Sequence, residues 1–267
     1  MKKTFKYRVK LNKDTATKTT EILNLCRIVY NLCIEQRRNA WKFHKQPIST
    51  YSQIKQLPEM KKAFPEFKQI PSQSLQDIVE RVDKAFQAFF RRIKSGEKPG
   101  YPRFKGYDRY DSFTLKQAGW RIEGKYLHIK KIGKFKIKLH RPIEGDIKTV
   151  TISKTSTGKW YVCFCCDNVP LKLLPKTGKS IGIDVGCENF LTTSTGEKIP
   201  NPRFLKKSED TLISRQQSLS RKLKGSHRRK KAKILVAKTH EKLTNQRKDF
   251  HYKVANYLLK HNDVVCI

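Results

Sequence analysis

The hydrophobic period of this chain changes twice, from two residues to about 3.6 and back to two, and a single-class fold cannot accommodate that. Residues 4–11 (TFKYRVKL) alternate Phe5, Tyr7, Val9 and Leu11 with Lys6, Arg8 and Lys10, the pattern of a strand with one core face and one cationic face. Residues 16–44 then carry Ile22, Cys26, Val29, Tyr30 and Cys33 at helical spacing. Residues 72–94 repeat that pattern with Leu75, Ile78, Val79, Val82, Phe86, Phe89 and Ile93. Pro71 and Ser72 are suited to start the second helix and Gly96 to stop it, with the Pro-containing stretch QLPEMKKAFPEFKQIP read as a connector between the two. From residue 97 the texture becomes a loop (EKPGYPRFKGYDRYDSFTL) followed by short strands and turns to about residue 167. The expected class is α+β: a barrel-like β part built from 1–14 and 97–177, with a helical insertion at 15–96.

The stretch NVPLKLLPKTGK (168–179) breaks the composition and places a domain boundary near 178. Beyond it come the buried strand SIGIDVG, the strand NFLTTS, a turn, GEKIP, a very long helical stretch from about 208 to 260, and the apolar strand DVVCI. That is the order in which an RNase H-like fold opens. A central strand needs a neighbour on each side, so 178–267 is expected to be the first part of a larger α/β domain, interrupted at Ile267.

Charge narrows the partners. Lys and Arg number 59 against 23 acidic residues, so the formal charge is 59 − 23 = +36, and a compact fold carrying it repels itself unless a polyanion neutralises it. Nucleic acid is the natural counterion. No apolar span, lipidation motif or amphipathic anchor points to a membrane, and the N-terminus lacks the apolar core of a secretory signal. A cytoplasmic, nucleoid-associated protein is the expectation. The seven cysteines (26, 33, 163, 165, 166, 187 and 266) include no Cys-x-x-Cys pair, so they read as reduced core thiols and zinc is not expected.

Three groups of residues can contact phosphate or bases. Lys134, Lys136 and Lys138 alternate with Phe135, Ile137 and Leu139, giving a basic sheet face that suits a phosphate backbone. In the loop after residue 97, aromatics interleave with cations; Arg103, Lys105 and Tyr110 are the candidate contacts, while Phe104 and Phe113 are expected to pack. Along 201–253 base is dense, with Arg221, Lys222, Lys224, Arg228, Arg229, Lys230 and Lys231 opposite a packing face that includes Ile234, Leu235, Leu243, Val254 and Leu258.

Asp184 ends the apolar run Ser180–Ile183 and is followed by Val185 and Gly186. Metal-dependent phosphodiester hydrolases display a first ligand in this way, at the tip of a central strand, but a carboxylate here serves a turn cap equally well. A two-metal site needs several carboxylates, and no other one in the sequence is placed to join Asp184.

The blocks GYPRFKGYDRYDSFTL (100–115), IGIDVGCENFLTTSTGE (181–197) and LSRKLKGSHRRKKAKILVAKTHEKLTNQRKDFHYKVANYLL (219–259) resemble the TnpB, or OrfB, family of insertion-sequence proteins, relatives of the type V CRISPR effectors, in the family's order along essentially the whole chain. The resemblance implies a wedge-type β-barrel with a helical recognition insertion, followed by a RuvC nuclease domain. It further implies a guide RNA from the transposon end, a complementary DNA target, and a Mg²⁺ site in which Asp184 is the first carboxylate. The family's second carboxylate follows the strand that here reads DVVCI, and its third comes after a four-cysteine zinc ribbon. Cleavage by residues 1–267 alone is therefore not expected. The alternative is a non-catalytic guide-RNA or DNA-binding protein acting by occupancy.

Overall fold

The computed structural model describes residues 1–267, which divide into two compact units, Met1–Pro170 and Leu171–Ile267. The first opens with strand β1 (Lys3–Lys10), continues through helices α1 (Lys13–His44), α2 (Thr50–Ala63) and α3 (Ser72–Lys94), and returns to strands β2 (Ser112–Leu115), β3 (Trp120–Glu123), β4 (Tyr126–Ile129), β5 (Gly133–Ile137), β6 (Asp146–Lys154) and β7 (Trp160–Asp167).

The seven strands form one antiparallel sheet in the order β2-β6-β7-β1-β5-β4-β3. Its two edges, β2 and β3, are not hydrogen-bonded to each other, so the expected barrel is an open sheet. The N-terminal strand lies at its centre, with Phe5 opposite Phe164 on one side and Val9 opposite Ile137 on the other. Alternation works as the sequence predicts: Phe5, Tyr7 and Val9 are buried and Lys6, Arg8 and Lys10 exposed. The inner residues share one core with Ile22, Cys26 and Val29 of α1 and Leu75, Ile78 and Val82 of α3.

Local capping explains the helix ends. The Asn12 side chain accepts from the Thr15 N–H at 2.8 Å to start α1, and Lys45, left-handed at φ 54°, closes it. The stretch read as a connector is instead largely helical: Ser49 caps α2, which runs through Pro58, and a short 3₁₀ turn (Pro65–Gln69) follows. Burial overrides the proline here, because Leu57 and Phe67 reach the core. Arg37, buried on α1, donates to Gln53 at 2.8 Å and Thr50 at 3.2 Å on α2 and to Asp83 at 3.0 Å on α3. Burial would raise the Asp83 pKa, but hydrogen bonds from Thr50 and Arg37 and the guanidinium charge outweigh it and hold the carboxyl below its usual value.

The second unit contains strands β8 (Ser180–Asp184), β9 (Asn189–Thr193) and β10 (Lys198–Pro200), helices α4 (Glu209–Ser220) and α5 (His227–His261), and strand β11 (Val264–Cys266). The sheet order is β10-β9-β8-β11, with β8 antiparallel to β9 and parallel to β11. Ile181, Leu191 and Leu258 form its small core. The single long helix expected over 208–260 is two helices, because Gly225 takes φ +87°, a conformation open to glycine, and Ser226 caps α5 by accepting from the Arg229 N–H at 3.1 Å.

Candidate nucleic-acid interface and the Asp184 strand end

On the first unit, strand pairing gathers cations onto the outer face of the sheet. Lys10 of β1 stands opposite Lys136 of β5, which stands opposite Tyr126 of β4; one row along, Lys134 stands opposite His128. Like charges directly opposite each other cost stability, so the Lys10–Lys136 pair suits a surface completed by an anion. Lys138 lies just beyond β5, exposed, its N–H donating to the Arg8 carbonyl at 2.9 Å. Glu123 is the acidic neighbour on this side, held by Arg121 and His128 at 2.9 Å each.

The loop between α3 and β2 is pinned at its middle. Asn31 of α1 accepts from the Lys105 N–H at 2.8 Å and donates to the Lys105 carbonyl at 3.0 Å. Arg103 and Lys105 are exposed, with the Lys105 ammonium 5.8 Å from the Tyr30 ring centre. Two sequence assignments change. Tyr110 is 7% exposed, packed 5.8 Å from Tyr30 with the Arg81 guanidinium 5.6 Å from its ring, so it belongs to the core and offers no face to a base. Burial also drives its phenol pKa up. Phe104, expected to pack, is 48% exposed, and Tyr107 is 70% exposed. Phe113 is fully buried, as its place in β2 requires. In an irregular loop no period tells an inward ring from an outward one, so the sequence pattern does not separate the buried Tyr110 from the exposed Phe104.

On the second unit, α4 and α5 form an antiparallel hairpin, tied by Arg215 donating to the Thr239 hydroxyl at 2.6 Å. Arg221, Lys224, Arg228, Lys230 and Lys231 are exposed around the turn. Lys222 is half-buried, with its ammonium 3.1 Å from the Ser218 hydroxyl. Arg229 has a different duty. Its guanidinium donates to the Leu219 and Lys222 carbonyls at 2.8 Å each, satisfying the open C-terminus of α4, so it holds the turn together and is withdrawn from the phosphate-binding set. Ile234 and Leu235, expected on the packing face, are 40% and 48% exposed.

Asp184 closes β8, opposite Thr192 of β9, and its exposed carboxylate takes part in no hydrogen bond or ion pair within the chain. A turn cap would show an accepted backbone N–H, so that reading of Asp184 loses its support. The other carboxylates of this unit have placed roles or stand apart. Asp263 sits at the opposite end of β8, accepting from the Thr177 N–H at 2.8 Å, the Thr177 hydroxyl at 3.0 Å and the Gly178 N–H at 2.7 Å; these bonds hold its pKa below the usual value. Glu197 accepts from the Tyr257 hydroxyl at 3.1 Å. No three His, Cys, Asp or Glu residues come together in an arrangement able to hold a metal ion. No helix is long and apolar enough to cross a membrane.

Comparison with known proteins gives this arrangement its context. A family model described as "Probable transposase" matches residues 164–267, and one described as "Helix-turn-helix domain" matches residues 1–46. In this structure residues 1–46 are a strand and one uninterrupted helix, so the second description does not fit the local fold. A Streptomyces pristinaespiralis protein named "Putative RNA-guided DNA endonuclease" is 32% identical over 100% of this chain and 66% of its own length. Escherichia coli InsQ, named in the same terms, is 26% identical over 98% of this chain and 65% of its own length. This chain therefore spans just under two thirds of the length of these relatives. A solved Cas12f1–sgRNA–target DNA complex covers 97% of this chain and 70% of that chain at 13% identity, with a TM-score of 0.42, a likeness too loose to bear on the fold. With two family models matching both ends and curated relatives matching from end to end, the chain belongs to the TnpB, or OrfB, family.

Proposed function

We propose that this chain is the nucleic-acid-holding part of an RNA-guided DNA endonuclease, with Asp184 as one ligand of a Mg²⁺ site. The observation that carries the proposal is Asp184 itself: an exposed, unpartnered carboxylate at the tip of a strand flanked on both sides, in a chain of formal charge +36. Magnesium takes hard oxygen ligands and uses few protein carboxylates, so Asp184 fits as one of them. When bound, such an ion polarises a phosphoryl oxygen or an attacking water. Because residues 1–267 bring no second and third ligand to Asp184, no catalytic step is assigned to them alone.

The register of β11 adds to this reading. Val264 pairs with Ser180 and Cys266 with Gly182 in parallel, so a residue following Ile267 along the same strand would stand level with Asp184. The resemblance implies a carboxylate at that position. The guide is proposed to be RNA from the transposon end, lying on the Lys134, Lys136 and Lys138 face and the Arg103–Lys105 loop, and the target to be DNA. Arg221, Lys222, Lys224, Arg228, Lys230 and Lys231 are proposed to hold phosphates around the α4–α5 turn.

The test joins whatever part of the Streptomyces relative follows the region matched by Ile267 to that residue and supplies a guide RNA, Mg²⁺ and matching DNA. Cleavage that disappears in Asp184→Ala, with RNA affinity within twofold of the parent, is the expected result. Cleavage that survives Asp184→Ala overturns the metal assignment. The second reading, binding by occupancy, is favoured by the lack of a three-ligand cluster in residues 1–267, and it predicts that Asp184→Ala changes nothing.

A further inference from the structure

At the C-terminal end of α3 a ring cluster continues outward from the core residue Phe86 to rings that none of the sites above uses. Phe86 is buried, with the Arg37 guanidinium 5.3 Å from its ring. Tyr101 meets it edge-on at 5.5 Å and meets Phe89 edge-on at 5.3 Å, and Phe89 in turn meets Phe90 at 5.3 Å. Burial falls away across the cluster, so that Tyr101 is 43% and Phe90 58% exposed. The inner rings hold the outer ones in place, and rigid aromatic faces are presented to solvent at little further cost in side-chain entropy.

The surroundings are cationic. Lys94 follows Phe90 by one helical turn and lies on the same face of α3; burial pushes the Tyr101 phenol pKa up, and the charge of the nearby Arg38 partly opposes that rise. A protein interface also carries a polar rim, but exposed rings with cations beside them in a chain of formal charge +36 match what base stacking requires, aromatic faces with phosphate-binding charges alongside. We infer that Phe90 and Tyr101 form a stacking ledge for an unpaired nucleic-acid strand, with Lys94 and Arg38 holding its phosphates. A duplex has no free base faces to offer and gains nothing from the ledge.

Because the ledge deepens the nucleic-acid reading and rests on it, the test separates the two. The 267-residue chain is titrated with a fluorescein-labelled twelve-nucleotide single-stranded RNA and with the corresponding RNA duplex, at several salt concentrations. Phe90→Leu, at an exposed position, and Tyr101→Leu keep apolar bulk and remove the ring; Phe90→Tyr restores one, and circular dichroism confirms folding. Single-strand affinity is expected to fall on the order of tenfold for each leucine variant and to return with Phe90→Tyr, while duplex affinity stays within twofold. Equal single-strand affinity in Phe90→Leu and the parent overturns the ledge, and so does an equal loss for strand and duplex. A concentration-dependent dimer that Phe90→Leu dissolves, with single-strand affinity intact, assigns the ledge to a second copy and also overturns it. Failure of the parent to bind either RNA overturns the nucleic-acid reading itself.

Discussion

Asn31 turns both ends of its side-chain amide on the backbone of Lys105, accepting at 2.8 Å and donating at 3.0 Å, as a neighbouring strand would. This holds a loop of exposed Arg103, Phe104, Lys105 and Tyr107 against α1 without burying any of the four. A pair of such bonds contributes about 1–2 kcal/mol. Asn31→Ala should therefore leave the circular dichroism unchanged, speed hydrogen exchange at the Lys105 amide, and weaken RNA binding about three- to tenfold. Unchanged exchange at that amide would show that the loop is held by something else.

Arg37 is the polar hub of the helical insertion, and removing it leaves the buried Gln53 side-chain oxygen without its donor and takes the guanidinium charge from Asp83, which keeps only its neutral donors Thr50 and Gln87. Arg37→Ala should cost about 3 kcal/mol. Chemical denaturation checks this, and Arg37→Met, which keeps the packing against Phe86, should recover part of the loss.

Asp263 makes the second unit sensitive to acid. Its folded pKa lies below the unfolded one, so its contribution is present above the ordinary carboxylate range and is lost as pH falls through the depressed value. Asp263→Asn should melt lower than the parent at pH 7, with the gap narrowing from about pH 4 downward. A gap independent of pH would mean that the charge is not what joins Asp263 to Thr177 and Gly178.

Arg229 and its neighbour Arg228 should separate stability from binding. Arg229→Ala removes the donor to the Lys222 carbonyl and the shorter of the bonds to the Leu219 carbonyl, and should lower stability by about 1–3 kcal/mol. Arg228→Ala should leave melting unchanged and weaken RNA or DNA binding. Loss of binding in Arg229→Ala without loss of stability would return that residue to the phosphate-contact set.

The sheet lysines should be read through salt. If Lys134 and Lys136 contact phosphates, the double change to Gln should reduce the slope of log K against log salt by about 1–2, equally for unrelated sequences. A parallel downward shift with the slope intact would place the two lysines off the phosphate path.

Wherever burial alternates at a fixed period, the sequence alone was enough. β1, α3 and β5 follow directly from the spacing of Phe5, Tyr7 and Val9, of Leu75, Ile78, Val79 and Val82, and of Phe135 and Ile137, because an apolar stripe dictates both the element and the face it buries. The three blocks pointed to the family for the same reason, since they are properties of residue order, and the charge excess is what motivates the proposed nucleic-acid partner.

What tertiary structure alone decided lies where no period operates. Pro58 stays helical because Leu57 has a core to enter; one helix becomes two because Gly225 can turn and Arg229 can satisfy the end; and Tyr110 is buried while Phe104 is not. The freedom of Asp184 is of the same kind. A strand tip can equally cap a turn or face solvent, and only the folded structure, in which β9 sets Thr192 opposite Asp184 and no N–H group reaches its carboxylate, leaves it without a partner.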